Sequence, residues 1–381
     1  MENKIKLGQF YTKRSKYIIG NLLDDLDKNL TVVEPFCGEG DLLIFDNEYE
    51  IYDIDPKIED CEKRDTLSNK PDYKNKLVVT NPPFLARNKN KDKSLYDLYE
   101  VSDLYKAAIK SILDCSGGIL IIPLNFFCDE DSKIRDLFFN KFDIIRLNIF
   151  EETVFDDTTY TICSFSFKLK EDRNDEYDTI ECCFFPNKEI KYYDLKKSTG
   201  WRMGSDFLDI LNSVENIGIK RLRIDMTPNS NLYLRAIDTG TNEGRITLSI
   251  KEDHYYGKES DRSFATLVMD KIYTEEQEIK ICNEFNRILE SNREKYNSMF
   301  LTNFRNSTSS YARKRISFDV AYKLISFIIK KEGLKSLFFY FILFIKSSNL
   351  SIVIDKTFAD PKSSFRSCIF VSKYGPSQIA I

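Results

Sequence analysis

The chain has 381 residues, of which 42% are hydrophobic and 30% charged, and a net charge of −4. That length and composition exclude a disordered chain and leave room for two or three domains around sizeable cores. The small negative charge excludes a uniformly polycationic protein, so any nucleic-acid contact must come from a local basic surface.

Residues 1–6 lack the apolar core of a signal peptide. Residues 6–13 read as a loop. A helical pattern then covers residues 16–29, with Ile18, Ile19, Leu22, Leu23 and Leu26 on one side and Ser15 as its N-cap. Residues 31–34 form a buried strand that enters Pro35-Phe36-Cys37-Gly38-Glu39-Gly40-Asp41, and a helix is expected from Leu42 onward. A strand, a glycine turn and a helix are the parts of a nucleotide-type site, where glycine lets the backbone approach a ligand closely. Glu34, Glu39 and Asp41 would repel a pyrophosphate. They suit a cationic, phosphate-free cofactor carrying an α-amino group and a sulfonium; the plainer alternative is a glycine turn with solvated acids.

The second strand, residues 49–54, ends in Asp53-Ile54-Asp55-Pro56. A carboxylate at that position can bind both hydroxyls of a ribose, and Asp53 is the better candidate because Asp55 precedes a proline. Asp65 stands where a third strand would end and is placed to accept from an adenine amino group. Leu77, Val78, Val79 and Thr80 then make a buried strand stopped by Asn81-Pro82-Pro83-Phe84. In an open α/β sheet, ligands sit at the carboxyl ends of strands. The Asn81 amide oxygen and the Pro82 carbonyl are acceptors on a stiff turn. Held at a fixed angle, they can bind an exocyclic –NH₂ and localise its lone pair for attack, while Phe84 stacks on the ring that carries it. A proline turn that serves packing alone is the competing reading.

Residues 87–93 are polar and basic and read as a mobile loop beside that strand end. A helix is expected over residues 96–113, a strand over 119–123 after Gly117-Gly118, a helix over 132–140 and a strand over 143–150. Residues 160–167 alternate like the return strand of a hairpin. The order implies an α/β, mostly parallel sheet with an antiparallel edge hairpin. The charged stretch 170–178 reads as a linker, which divides the chain into a catalytic domain (1–172), a second domain (173–335) and a C-terminal extension (336–381). His254 is the single histidine and reads as a surface residue. A single histidine read as a surface residue argues against a Ser-His-Asp triad and against a metal centre needing several imidazoles. Nine cysteines without a C-x-x-C pair fit neither a zinc site nor a disulfide framework, so no metal and a reducing cytoplasm are expected. Residues 287–335 carry eleven Lys/Arg against four Asp/Glu. Within them Arg305, Asn306, Arg313, Lys314 and Arg315 mix cations with an amide, the groups that contact phosphates and read base edges. Lys220-Arg221-Leu222-Arg223 is a second basic candidate. The apolar run 337–345 is too short to span a bilayer, and no membrane association is expected.

Taken in order, the glycine turn, the second-strand Asp and N-P-P-F resemble the S-adenosylmethionine-dependent DNA adenine methyltransferases of the gamma class, known from restriction-modification systems and large viruses. The resemblance spans residues 6–168. Gly8-Gln9-Phe10-Tyr11-Thr12 is similar to that class's N-terminal motif, which implies that Tyr11 and Thr12 line the methionine end of the cofactor. Glu34, Pro35, Phe36, Gly38 and Gly40 match its cofactor loop, Asp53 its ribose-binding acid and Asp65 its adenine-contacting acid. Asn81, Pro82, Pro83 and Phe84 match its catalytic motif, with Phe in place of the more usual Tyr. Phe155 stands where the family carries an aromatic against the extruded base. Cys37 is read as a packing residue rather than a nucleophile. The resemblance implies a Rossmann-like methyltransferase sheet followed by a separate target-recognition domain. It further implies base flipping and direct transfer of a methyl group to adenine N6 in a short double-stranded DNA sequence. The partners implied are DNA and a cognate restriction endonuclease acting separately, with the protein a monomer. Alternatives are transfer to another planar amine or amide (cytosine N4, RNA guanine, protein glutamine) and a DNA-binding subunit that no longer turns over.

Overall fold

The computed structural model describes residues 11–155, 160–170, 176–238, 244–257, 263–303, 313–333, 351–353 and 370–372. The chain forms two compact units. One comprises Met1–Glu215, Arg235–Ile246 and Arg287–Lys323; the other comprises Asn216–Leu234, Thr247–Asn286 and Leu324–Ile381.

The first unit is built on a nine-stranded sheet of order β3-β2-β1-β4-β5-β7-β6-β8-β9. Its strands are β1 (Val32–Glu34), β2 (Tyr49–Asp53), β3 (Glu62–Lys63), β4 (Leu77–Thr80), β5 (Gly117–Pro123), β6 (Phe142–Phe150), β7 (Ile162–Leu169), β8 (Tyr177–Phe185) and β9 (Glu189–Lys196). Strands β1 to β5 pair in parallel, and β7 runs antiparallel between β5 and β6. This is the expected α/β class. Strands β4 and β5 are buried along their whole length, as their unbroken apolar sequences require when both faces are covered.

Four expectations are corrected. The helix expected from Leu42 does not form; residues 41–48 are turns, pinned where the Asn47 amide donates to the carbonyls of Asp27 at 2.9 Å and Leu30 at 2.8 Å. The helix expected over 16–29 is a short α1 (Ser15–Ile19) followed by a 3₁₀ segment, Gly20–Asp25. Glycine weakens the helix there, and Asn21 turns instead to Asn148, whose amide donates to Asn21 Oδ1 at 2.7 Å. Ser15 lies inside α1, and Arg14 is the cap residue. The helix expected over 96–113 is two, α2 (Ser94–Tyr99) and α3 (Leu104–Ser111), separated at Glu100, which adopts φ +54°. Finally, the β6–β7 hairpin is not the sheet edge, nor does the unit end near residue 172. Strand β8 pairs in parallel with β6, and β9 completes the edge, so the charged stretch links two strands of one sheet.

The second unit holds a four-stranded sheet of order β10-β13-β11-β12, formed by β10 (Lys220–Arg221), β11 (Leu232–Arg235), β12 (Thr247–Ile250) and β13 (Phe264–Val268). Leu232, Leu234, Ala265, Leu267, Ile281 and Phe285 are buried in it. Lys220 and Arg221 are strand residues opposite Val268 and Leu267. His254 is half-buried, with Nε2 3.1 Å from Asn231 Oδ1. Of residues 336–381 only the pair Ser351–Val353 and Phe370–Ser372 is described, and the apolar run 337–345 lies outside the described residues. Among the described residues no helix is long and apolar enough to cross a membrane.

Gly118 on β5 pairs with Val78 on β4, the strand that leads into Asn81. It sits beside Val78 at φ +146°, and a Cβ there would lie 1.8 Å from the Val78 carbonyl oxygen. Gly118→Ala is expected to destabilise the protein by about 3 kcal/mol or more, read from the midpoint of urea unfolding.

Candidate functional site

The carboxyl ends of β1, β2 and β4 surround a cavity of about 340 Å³. Tyr11, Thr12, Phe36, Gly38, Asp53, Asp65, Asn81 and Pro83 all line it, so the structure brings these eight candidates to one place. The turn after β1 is held by Asp53 from the end of β2. Its Oδ2 accepts from Gly38 N–H at 2.9 Å, and its Oδ1 accepts from Asp55 N–H at 2.7 Å. Gly38 adopts φ +56°, and a Cβ on it would meet the Tyr11 ring at 2.8 Å. Glycine is therefore required both by the backbone and by the ring laid across it. Gly40, at φ +81°, shapes the same turn without lining the cavity.

Glu34 and Pro35 are not among the lining residues; they lie beneath the site. Glu34 is 1% exposed, and its Oε1 accepts from Phe36 N–H at 3.0 Å and from the Thr80 hydroxyl at 2.6 Å. Burial pushes its carboxyl up to about 8. The Pro35 carbonyl accepts from the Thr66 hydroxyl at 3.0 Å, which ties the turn to the loop after β3. Asp65 in that loop accepts from the Ser68 hydroxyl at 2.6 Å and from Leu67 N–H at 3.2 Å. Asp41 also faces the cavity. Its Oδ2 is buried with no hydrogen-bond partner among the described residues, and burial, then the charge of Glu39, raise its carboxyl.

Asn81 lies at the end of β4, and its Nδ2 donates to Thr12 Oγ1 at 3.0 Å. Pro82 and Phe84 do not line the cavity. Phe84 is 3% exposed and meets Tyr105 edge-on at 6.3 Å; Phe155 is also 3% exposed. Neither ring presents an open face in this conformation. The basic loop after the motif is tied internally: Lys93 donates to the carbonyls of Arg87 and Asn90, and Arg87 pairs with Asp97 at 2.7 Å.

Sequence reasoning missed the residues that hold this loop and the far wall of the cavity. Asp103 caps α3 through Tyr105 N–H and also accepts from Leu85 N–H at 3.1 Å, just past the motif. An Asp before an apolar-periodic run is a helix-start signal that could have revealed the cap, though not the second bond. Asn90, Asp92, Leu95 and Leu104 close the cavity from the segment that follows the motif. Among the described residues no group of three or more His, Cys, Asp or Glu side chains could hold a metal ion.

Arg305 and Asn306 lie outside the described residues, as do Gly8, Gln9 and Phe10. Arg313 and Lys314 each bond within the protein. Arg313 Nε donates to the Asp238 carbonyl at 2.8 Å, and Lys314 donates to Asn303 Oδ1. Burial lowers the Lys314 ammonium. The carboxylate of Asp238 is itself held by Arg293 through buried bonds of 3.1 and 2.9 Å. Arg315 lines a separate cleft together with Lys106, Arg202 and Phe300.

No family model matches the chain. Over 194 residues it is 29% identical to the type II methyltransferase M.HincII of Haemophilus influenzae and, equally, to M.HindII of Haemophilus influenzae strain Rd. The match covers 43% of this chain but only 38% and 36% of those two proteins, so the chain matches well under half of the relatives' length. A type I restriction-modification methyltransferase subunit from Streptococcus thermophilus is 15% identical over 48% of this chain and 50% of its own, with a TM-score of 0.35. Over those 194 residues the chain resembles restriction-modification DNA methyltransferases, and its first unit is a mostly parallel α/β sheet with one antiparallel strand inserted between β5 and β6.

The raised Glu34 carboxyl has a consequence for stability. Between its ordinary 4.5 and about 8 the folded protein keeps a proton that the unfolded chain has released, so this group makes stability fall as pH rises across that window. Glu34→Gln is expected to flatten that decline, by about 3 kcal/mol between pH 5 and 8. Urea unfolding of both proteins across the range checks it.

Proposed function

We propose that the protein is a DNA methyltransferase that moves the methyl group of S-adenosylmethionine to the exocyclic N6 of adenine in a short double-stranded sequence. The observation that carries this reading is the shared cavity. An acceptor amide on a proline-stiffened turn, Asn81, opens into the same space as the Gly38 turn and the Asp53 carboxylate. The residues present fit the cofactor. Asp41 offers a buried carboxylate oxygen for an α-amino group, and Asp53 and Asp65 flank the cavity where ribose and adenine would lie. No phosphate-binding cation is required by such a ligand, and an acidic wall favours a cationic one. The bound cofactor supplies an electrophilic methyl on a sulfonium.

The chain's own part is positioning. The amine lone pair of adenine is delocalised into its ring. When the Asn81 amide oxygen and the Pro82 carbonyl accept its two hydrogens, the nitrogen moves toward tetrahedral geometry and its lone pair localises. A base inside a duplex cannot reach a strand-end cavity, so it must be flipped out. Stacking by Phe84 and Phe155 requires both rings to turn outward as the base arrives. Phosphate and base-edge contacts are assigned to Arg305, Asn306 and Arg315, with Arg313 and Lys314 anchoring that segment. The partners proposed are double-stranded DNA and a restriction endonuclease acting separately on the same sequence, with the protein a monomer in the cytoplasm.

Asn81→Ala is expected to lower methyl transfer to DNA by about 100- to 1,000-fold while cofactor affinity by calorimetry stays within about threefold. Near-normal turnover in that variant would remove the role given to Asn81. Asp53→Ala should instead weaken cofactor binding by about 10- to 100-fold, and unchanged affinity would reject Asp53 as a cofactor ligand. Sequencing of DNA from cells expressing the protein, with the modified base mapped, separates adenine from the other acceptors.

A further inference from the structure

We infer that the short helix α2 is a brace between two walls of the cavity, and that Tyr96 and Tyr99 are positioning residues. Tyr96 holds the chain that leaves the catalytic turn, and Tyr99 holds the loop that carries Asp65. Which ligands fill the cavity rests on the methyltransferase reading above. α2 spans only Ser94–Tyr99, too short to be a stable helix by itself. It meets the cavity directly through Leu95. Its two tyrosines stand three residues apart, a spacing that makes them neighbours on a helix surface. Their hydroxyls reach backbone carbonyls in two different loops. Tyr96 donates to the Leu85 carbonyl at 2.9 Å, and Tyr99 donates to the Leu67 carbonyl at 2.8 Å.

Leu85 follows the catalytic turn directly, and Leu67 follows Asp65 by two residues; both leucines line the cavity. Sheet pairing does not link these two loops to each other. One leaves β4 and the other leaves β3, and β2 and β1 lie between those strands in the sheet. The two tyrosine bonds supply the missing link. α2 is in turn anchored at both ends. Asp92 Oδ1 accepts from Ser94 N–H at 2.9 Å, and Lys110 Nζ donates to the Tyr99 carbonyl at 2.9 Å. Tyr96 is 1% exposed, and its oxygen also accepts from Asn90 Nδ2 at 3.4 Å, another group of the cavity wall. A hydroxyl buried in this way loses free energy if its bond is broken, so the attachment to Leu85 persists.

The test uses Tyr96→Phe and Tyr99→Phe in the full chain, because each removes one oxygen and keeps the ring. The first readout is amide hydrogen exchange in the unliganded protein. Tyr96→Phe should speed exchange over residues 84–87 by about fivefold and leave residues 67–69 unchanged, and Tyr99→Phe should do the reverse. The second readout separates binding from transfer, with S-adenosylhomocysteine as the calorimetric probe. Tyr99→Phe should weaken binding of that probe by about 5- to 10-fold, with the single-turnover rate at saturating S-adenosylmethionine within about twofold of wild type. Tyr96→Phe should lower that rate by about 5- to 10-fold while affinity changes by less than about threefold. The inference is overturned if exchange in the two loops is unchanged, or rises equally in both, since the hydroxyls would then serve only the fold. It is also overturned if both variants lose rate and affinity alike. If exchange responds as expected but the wild type neither binds the probe nor methylates DNA, the brace stands and the methyltransferase reading falls.

Discussion

Glu34 is the point on which the site hangs. One carboxyl oxygen receives the Phe36 N–H from the turn that follows β1 and the Thr80 hydroxyl from the last residue of β4. The two strands are already neighbours in the sheet, paired in parallel from Val32 opposite Leu77. Sheet pairing alone sets the spacing of their ends but not the path of the chain beyond them. The shared carboxyl does set it, because the turn and Asn81 leave from either side of the same group. A carboxyl so buried costs free energy if charged, and Glu34 avoids part of that cost by holding its proton near neutral pH.

The same economy runs through the rest of the cavity. Asp53 spends one oxygen on Gly38 and the other on Asp55, so a carboxylate in the cavity wall is also the brace of the glycine turn. Asp65 is likewise braced by Leu67 and Ser68. Groups held by backbone bonds lose little further freedom when a ligand arrives, which is the advantage of a preorganised site. Asp41 differs, with one oxygen buried and no bond to it among the described residues. It is the carboxyl in this wall with most to gain from a cation.

Much of this was legible in the sequence because the signals are local. A β-branched run ending in Pro-Pro gives a strand and its stop, and Gly38 at φ +56° and Gly40 at φ +81° are where a tight turn would need them. Parallel order followed from strands alternating with helical patterns. What failed depends on distant partners. No local signal says that Asn47 will cap carbonyls at Asp27 and Leu30, and so the helix after the glycine turn was wrongly expected. Composition marked residues 170–178 as a linker, but β8 finds β6 through a pairing that composition does not encode. The basic run also meets distant partners that its composition does not announce. Arg313 bonds the carbonyl of Asp238 and Lys314 the amide of Asn303.

The stiffness assigned to the proline turn therefore has to be argued from more than its prolines. Proline fixes two φ angles but leaves the turn free to hinge as a unit. The structure closes that freedom from both sides. Upstream, Thr80 is held by Glu34. Downstream, Leu85 N–H is received by Asp103, and the Leu85 carbonyl accepts from the Tyr96 hydroxyl at 2.9 Å and from Leu104 N–H at 3.1 Å. Asp103 carries this bond while capping α3, and burial raises its carboxyl to about 6. The four residues between these anchors are thus held at each end by a carboxyl group, Glu34 upstream and Asp103 downstream. A turn fixed in that way can present acceptors at a constant angle, whereas proline alone would only keep them at a constant distance from each other.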